Sequence, residues 1–124
     1  MKSPALFGAL GAVFGFLGVA AGAFGAHALR DTLPPDRLQV FETGARYQLI
    51  HALALIAVAL ALDRAASGAL TAAGWLFVLG QVIFAGSLYA LALSGVRLWG
   101  AVTPLGGLCY LAGWALFAIS FAKR

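Results

Sequence analysis

The chain has 124 residues, of which 63% are hydrophobic and 10% charged, with a mean hydropathy of +0.98. Soluble domains carry about 25% charged residues, so this composition excludes a soluble fold and points to one integral membrane domain. The net charge of +4 comes from basic residues near span ends. That is the pattern of membrane anchoring rather than of a nucleic-acid footprint, which needs a clustered basic face.

The first hydrophobic segment is uncharged from Ser3 to Ala26 and predicts a span over about residues 5–28, long enough for the hydrocarbon core. Lys2 with Ala26-His27-Ala28 imitates a signal peptide and its cleavage site, but the uncharged run is longer than a signal core. Glycines recur every three or four residues: Gly8, Gly11, Gly15, Gly18, Gly22 and Gly25. In water they would weaken a helix; in a bilayer the backbone must bond to itself, and the stripe becomes a groove for close helix packing. Arg30-Asp31-Thr32-Leu33-Pro34-Pro35 ends the span.

Residues 35–44 alternate Leu38 and Phe41 with Arg37, Gln39 and Glu42, and predict a short amphipathic helix at the membrane surface, capped by Asp36. Gly44 marks either a bend into the bilayer or a point within one continuous helix. The second span covers about residues 45–63; its apolar part, Leu49–Leu62, is too short to cross alone and must draw in Arg46, Tyr47 and Gln48. The third covers about residues 70–94, with Gln81 near its middle and Gly95 as its stop. The fourth covers about residues 103–122, with Thr103 as cap and Pro104 at the first helical position; the alternative is a start near Leu98 with a kink at Pro104. Short loops imply an all-α, up-down-up-down four-helix bundle with both termini on one side. Lys and Arg tie between the two sides, and the acidic residues and the amino terminus lean toward cytoplasmic termini.

In this topology His27, Arg30, Glu42, Arg46, Tyr47, Gln48, His51, Arg97 and Thr103 share one membrane side, which predicts a polar, ligand-binding pocket at that leaflet. Glu42 and Arg46 have the spacing of a helical ion pair, and Tyr47 and His51 can meet on one face. Each has a plainer reading. His51 is a hydrogen-bonded buried histidine, or else a ligand, proton-relay or haem residue. His27 caps the C-terminal end of the first span, and Arg46 snorkels or pairs with Glu42. Gln81 is interhelical glue, and Trp75, Trp99, Trp114, Tyr89 and Tyr110 are lipid or interface anchors. Cys109 reads as a small packing residue; alone, it excludes an internal disulfide and a cysteine metal cluster. No phosphate loop, HExxH or serine elbow is present, so neither catalytic residues nor a cofactor are expected.

Two stretches, Gly22-Ala23-Phe24-Gly25-Ala26-His27-Ala28-Leu29 and Glu42 through Ala54, resemble the signature blocks of the domain-of-unknown-function 423 family. These are small four-span bacterial membrane proteins similar to the transmembrane protein 256 group. The pattern falls on Gly25, Ala26, His27, Gly44, Arg46, Tyr47, Gln48 and His51. The resemblance implies the fold and an inner-membrane location, and supplies no activity. The leading functional expectation is a non-catalytic accessory bundle binding membrane lipids, another membrane protein or a second copy of itself. A homo-oligomeric small-solute or ion transporter is the alternative, and a haem-binding electron-transfer subunit, held by His27 and His51, is a minor one.

Overall fold

The structure is a computed structural model, and it describes residues 3–124. Four helices are long and apolar enough to cross a membrane: α1 (Ser3–Leu29), α2 (Pro35–Arg64), α3 (Gly68–Ser94) and α4 (Leu98–Ala122). At 25 to 30 residues each, they reach about 37–45 Å, enough to cross the core and emerge on both sides.

The helix boundaries follow local chemistry. After α1, the Thr32 and Leu33 amides both bond to the Leu29 carbonyl, at 3.0 and 2.9 Å. Pro34 is extended, with ψ 152°, because a following proline disfavours helical backbone, and Pro35 then opens α2 at a position where no N–H is needed. Ser67 caps α3 by accepting the Leu70 N–H at 3.2 Å. Gly95, at φ 72°, ends α3 in the left-handed conformation that a side chain resists.

Two boundaries differ from those read in the sequence. No separate helix covers residues 35–44: α2 is continuous from Pro35 to Arg64. Gly44 is buried where Tyr89 and Leu88 close on it, and a Cβ there would sit 3.0 Å from the Tyr89 ring. It permits a close approach rather than a bend. Phe41 is buried with Ala26 and Ala92 instead of resting at a surface. The fourth helix begins at Leu98, with Pro104 inside it. Thr103 is not its cap: its hydroxyl bonds to the Trp99 carbonyl at 3.2 Å and to Ser87 of α3 at 2.5 Å. Pro104 removes one backbone hydrogen bond, which a transmembrane helix tolerates when neighbouring groups compensate.

Along α1, each glycine of the stripe faces α2. A Cβ at Gly8, Gly11, Gly15, Gly18, Gly22 or Gly25 would meet Ala59, Ile56, Ala52, Leu49, Ala45 or Phe41 respectively. The partner numbers fall as the glycine numbers rise, so the two helices run antiparallel. Gly11 and Gly18 are the tightest points, at 2.7 Å from Ile56 and 2.8 Å from Leu49. A second close seam joins α3 and α4, where Gly80 receives Tyr110, Gly106 receives the Phe84 backbone and Gly113 receives Phe77. Between the seams lies the apolar core, with Phe7, Leu55, Val58, Leu70 and Phe77 fully buried. The opposite face of α1 has no partner among the described residues, and Phe16 and Phe24 are each 75% exposed. In a bilayer that face meets lipid.

Both irregular stretches are π-helical turns, Ala20–Gly25 in α1 and Gln81–Ala85 in α3. Wide turns of this kind recur where a side chain must be aimed away from the regular helical position. The second opens on Gln81, whose side chain points into the bundle.

Candidate functional site

The interior holds a chain of hydrogen bonds linking all four helices. The Gln48 side chain donates to the Phe14 carbonyl of α1 at 2.9 Å and accepts from the Tyr89 hydroxyl of α3 at 2.6 Å. The Gln81 side chain donates to the Gln48 carbonyl at 2.9 Å and accepts from the Tyr110 hydroxyl of α4 at 2.6 Å. Because main-chain carbonyls only accept, both amide orientations are fixed. The Tyr110 ring stacks on His51, with centroids 3.5 Å apart.

His51 is bonded on both sides of its ring. Trp114 donates its indole N–H to Nε2 at 2.9 Å, and Nδ1 lies 2.8 Å from the Tyr47 carbonyl. Indole is a donor only, so Nε2 accepts and Nδ1 carries the proton that it donates to Tyr47. Both ring nitrogens are thus engaged. Among the described residues no group of three His, Cys, Asp or Glu side chains could hold a metal ion.

The network sits at the middle of the bundle. Gln81 and Tyr110 lie near the midpoints of α3 and α4, and His51 stacks on Tyr110 at that level. Buried polar side chains are costly at this depth unless bonded, and no buried side-chain nitrogen or oxygen among the described residues lacks a partner.

The expected polar pocket therefore separates into parts. Gln48 and His51 are 5% and 3% exposed and belong to the central network, with Tyr47 at its edge. Glu42 and Arg46 are exposed on the side of α2 that faces α1. His27, Arg30 and Arg97 are exposed near helix ends, away from the buried network. Helical period is the cause: residues 42, 46 and 49 follow one face of α2, while 47 and 51 follow another. Trp114, Tyr89 and Tyr110, read in the sequence as anchors, are members of the network. The signal for them was weak, because an aromatic residue in a span looks alike whether its polar tip points to headgroups or to a buried glutamine.

Two concavities flank this centre. One, of about 520 Å³, opens between α2 and α4 and is lined by Tyr47, His51, Phe84, Pro104, Tyr110 and Trp114 among others. The other, of about 480 Å³, lies between α1 and α2, with Glu42 and Arg46 at its rim and Val19, Gly22, Ala45 and Leu49 within it. It adjoins two apolar tracks of about 480 Å³ each, which share Ala12, Gly15, Phe16 and Val19. One runs over Ala12, Phe16 and Phe24 of α1, the other over Leu49, Leu53 and Ile56 of α2, and both pass Val19.

Fold and site together define a small four-helix integral membrane protein with a hydrogen-bonded polar centre. The family model described as a protein of unknown function, DUF423, matches residues 21–107. Among similar proteins, the UPF0382 membrane protein YwdK of Bacillus subtilis is 43% identical over 115 residues, covering 92% of this chain and 94% of that protein. The UPF0382 inner membrane protein YgdD of Escherichia coli K12 is 46% identical over 108 residues, covering 87% and 82%. The UPF0382 membrane protein SH2409 of Staphylococcus haemolyticus is 44% identical over 118 residues, covering 95% and 96%. The chain belongs to the DUF423 family, whose relatives carry inner-membrane and membrane names but no assigned activity. No solved structure matches it.

Proposed function

We propose that this protein is a non-catalytic membrane bundle that holds a phospholipid in the groove between α1 and α2. The supporting observation is the union of one guanidinium, Arg46, with a groove that adjoins two apolar tracks on either side of Phe16 and Val19. A diacyl lipid has this outline: a phosphate for which Arg is the preferred partner, and two chains. The Arg46 position lies two residues from Gln48 and five from His51, or about 3 to 7 Å along the helix axis from the network. Arginine at such a depth can extend its long stem toward the headgroups.

The bonded centre also bears on the alternatives. Transport through one copy needs polar groups along an open path, and each buried side-chain nitrogen and oxygen among the described residues already has a partner. Catalysis needs a group free to exchange protons with a substrate, and both nitrogens of His51 are occupied.

The test is native mass spectrometry of protein released gently from its membrane. Wild type should retain phospholipid, and Arg46→Ala should lose most of it. Equal retention by the variant, or a bare wild-type protein, would sink this reading, and a bare homo-oligomer would turn attention to solute flux in liposomes.

A further inference from the structure

The rim of the α1–α2 groove carries two opposite charges in a fixed order. Glu42 and Arg46 both border it and are both exposed. They are one helical turn apart, so the Glu42 position lies about 6 Å farther toward the loop end of α2 than the Arg46 position. The α2 track leaves from the other side, at Val19 and Leu49, while the α1 track runs alongside both charges from Ala12 to Phe24. Along α2, from membrane interior to surface, the order is thus chain, cation, anion.

A phospholipid bound with its chains in the tracks presents the complementary order: chain, phosphate, then whatever the phosphate carries. Arg46 meets the phosphate. The group beyond it meets a carboxylate, which repels a second anion and favours a donor cation. The α1 wall of the groove is Gly22 and Ala23, inside the π-helical turn Ala20–Gly25. Neither side chain is large enough to keep a headgroup off Glu42.

Resting on the lipid-binding reading above, we infer that the groove selects a phospholipid whose phosphate bears a primary ammonium, the chemistry of phosphatidylethanolamine. Glu42 is the specificity-determining residue and Arg46 the common anchor. A primary ammonium offers three N–H donors to the carboxylate; a quaternary trimethylammonium offers none. A glycerol headgroup adds no positive charge, so its lipid meets Glu42 with net negative charge.

The experiment is competition. The purified full-length protein is exchanged into an equimolar mixture of phosphatidylethanolamine, phosphatidylglycerol and phosphatidylcholine, and native mass spectrometry reads the retained lipid. Wild type should retain phosphatidylethanolamine about tenfold over either competitor, as one good charge-assisted contact implies. Glu42→Gln should bring the ratio to phosphatidylglycerol near one while total phospholipid changes less than about twofold, and Glu42→Lys should invert it. Both substitutions are on an exposed side chain, and an unchanged melting profile in detergent checks the fold. A wild type without preference, retention of phosphatidylcholine equal to phosphatidylethanolamine, or a ratio unmoved by Glu42→Gln would overturn the headgroup assignment and leave lipid binding standing. Failure of Arg46→Ala to reduce retention of all three would instead remove the lipid-binding reading itself.

Discussion

The Trp114 indole donates to Nε2 of His51 across 2.9 Å, joining α4 to α2. With the Nδ1 bond to Tyr47, it fixes one tautomer of a histidine at the centre of a membrane bundle. Nitrogen chemical shifts of selectively labelled histidine should show His51 as the neutral Nδ1–H form, with Nε2 as acceptor. Trp114→Phe keeps the ring but removes the donor and leaves a buried acceptor. A loss of about 1–3 kcal/mol is expected in reversible unfolding in mixed micelles. A stability equal to wild type would mean that the indole bond does not form in the membrane.

Gln81 gives a second test, because its side chain satisfies Tyr110 and the Gln48 carbonyl together. Gln81→Leu strands the Tyr110 hydroxyl, while Tyr110→Phe strands one Gln81 oxygen. Single interhelical hydrogen bonds in membranes are worth about 0.6 kcal/mol on average and up to about 1.7. The double variant should therefore be less destabilised than the sum of the singles. Strict additivity would show that the two side chains do not interact.

The glycines divide by what they touch. Gly106 lies against the backbone of Phe84, which cannot step aside, so Gly106→Ala should open the α3–α4 seam and cost a few kcal/mol, in the overpacking range of about 1–3. Gly15→Ala would place its Cβ 3.9 Å from Ala52, an ordinary contact. Gly68, with nothing within 4 Å, should accept Ala with no measurable loss. Thermal melts of the three variants should rank Gly106→Ala far below the other two; a common shift for all three would contradict the packing described.

Arg37 reaches from the start of α2 to the end of α3, donating Nε to the Ala92 carbonyl at 2.9 Å and a terminal nitrogen to Leu93 at 3.1 Å. These carbonyls are the acceptors a helix C-terminus leaves open, and the charge complements the helix dipole there. Arg37→Ala should speed hydrogen exchange at residues 92–97 and leave the core around Leu55 and Leu70 protected. Unchanged exchange in that turn would remove this role.

Much of the architecture was legible before any coordinates. Uncharged runs, the Pro34-Pro35 pair and Gly95 placed the spans, because backbone in lipid must be helical and because those residues cannot continue a helix. The seam of α1 was legible for the same reason: a regular stripe of small residues has one use between helices. The continuity of α2 and the start of α4 were not. Leu38 and Phe41 give the same pattern against a membrane surface as against Ala26 and Ala92, and Thr103 before Pro104 reads as a cap until Ser87 is known to face it.

The sequence by itself determined the class of the protein, its number of spans and the polar residues available, since these follow from composition and from period along one chain. Which polar residues meet was decided only by tertiary structure. The helical turn separates Glu42 and Arg46 from Tyr47 and His51 onto different faces of α2. Antiparallel packing brings Gln48 to Gln81, and a π-helical turn aims Gln81 inward. The resulting contacts join residues 29 to 63 positions apart. No pattern along a single helix encodes which residue of another helix stands at the same depth.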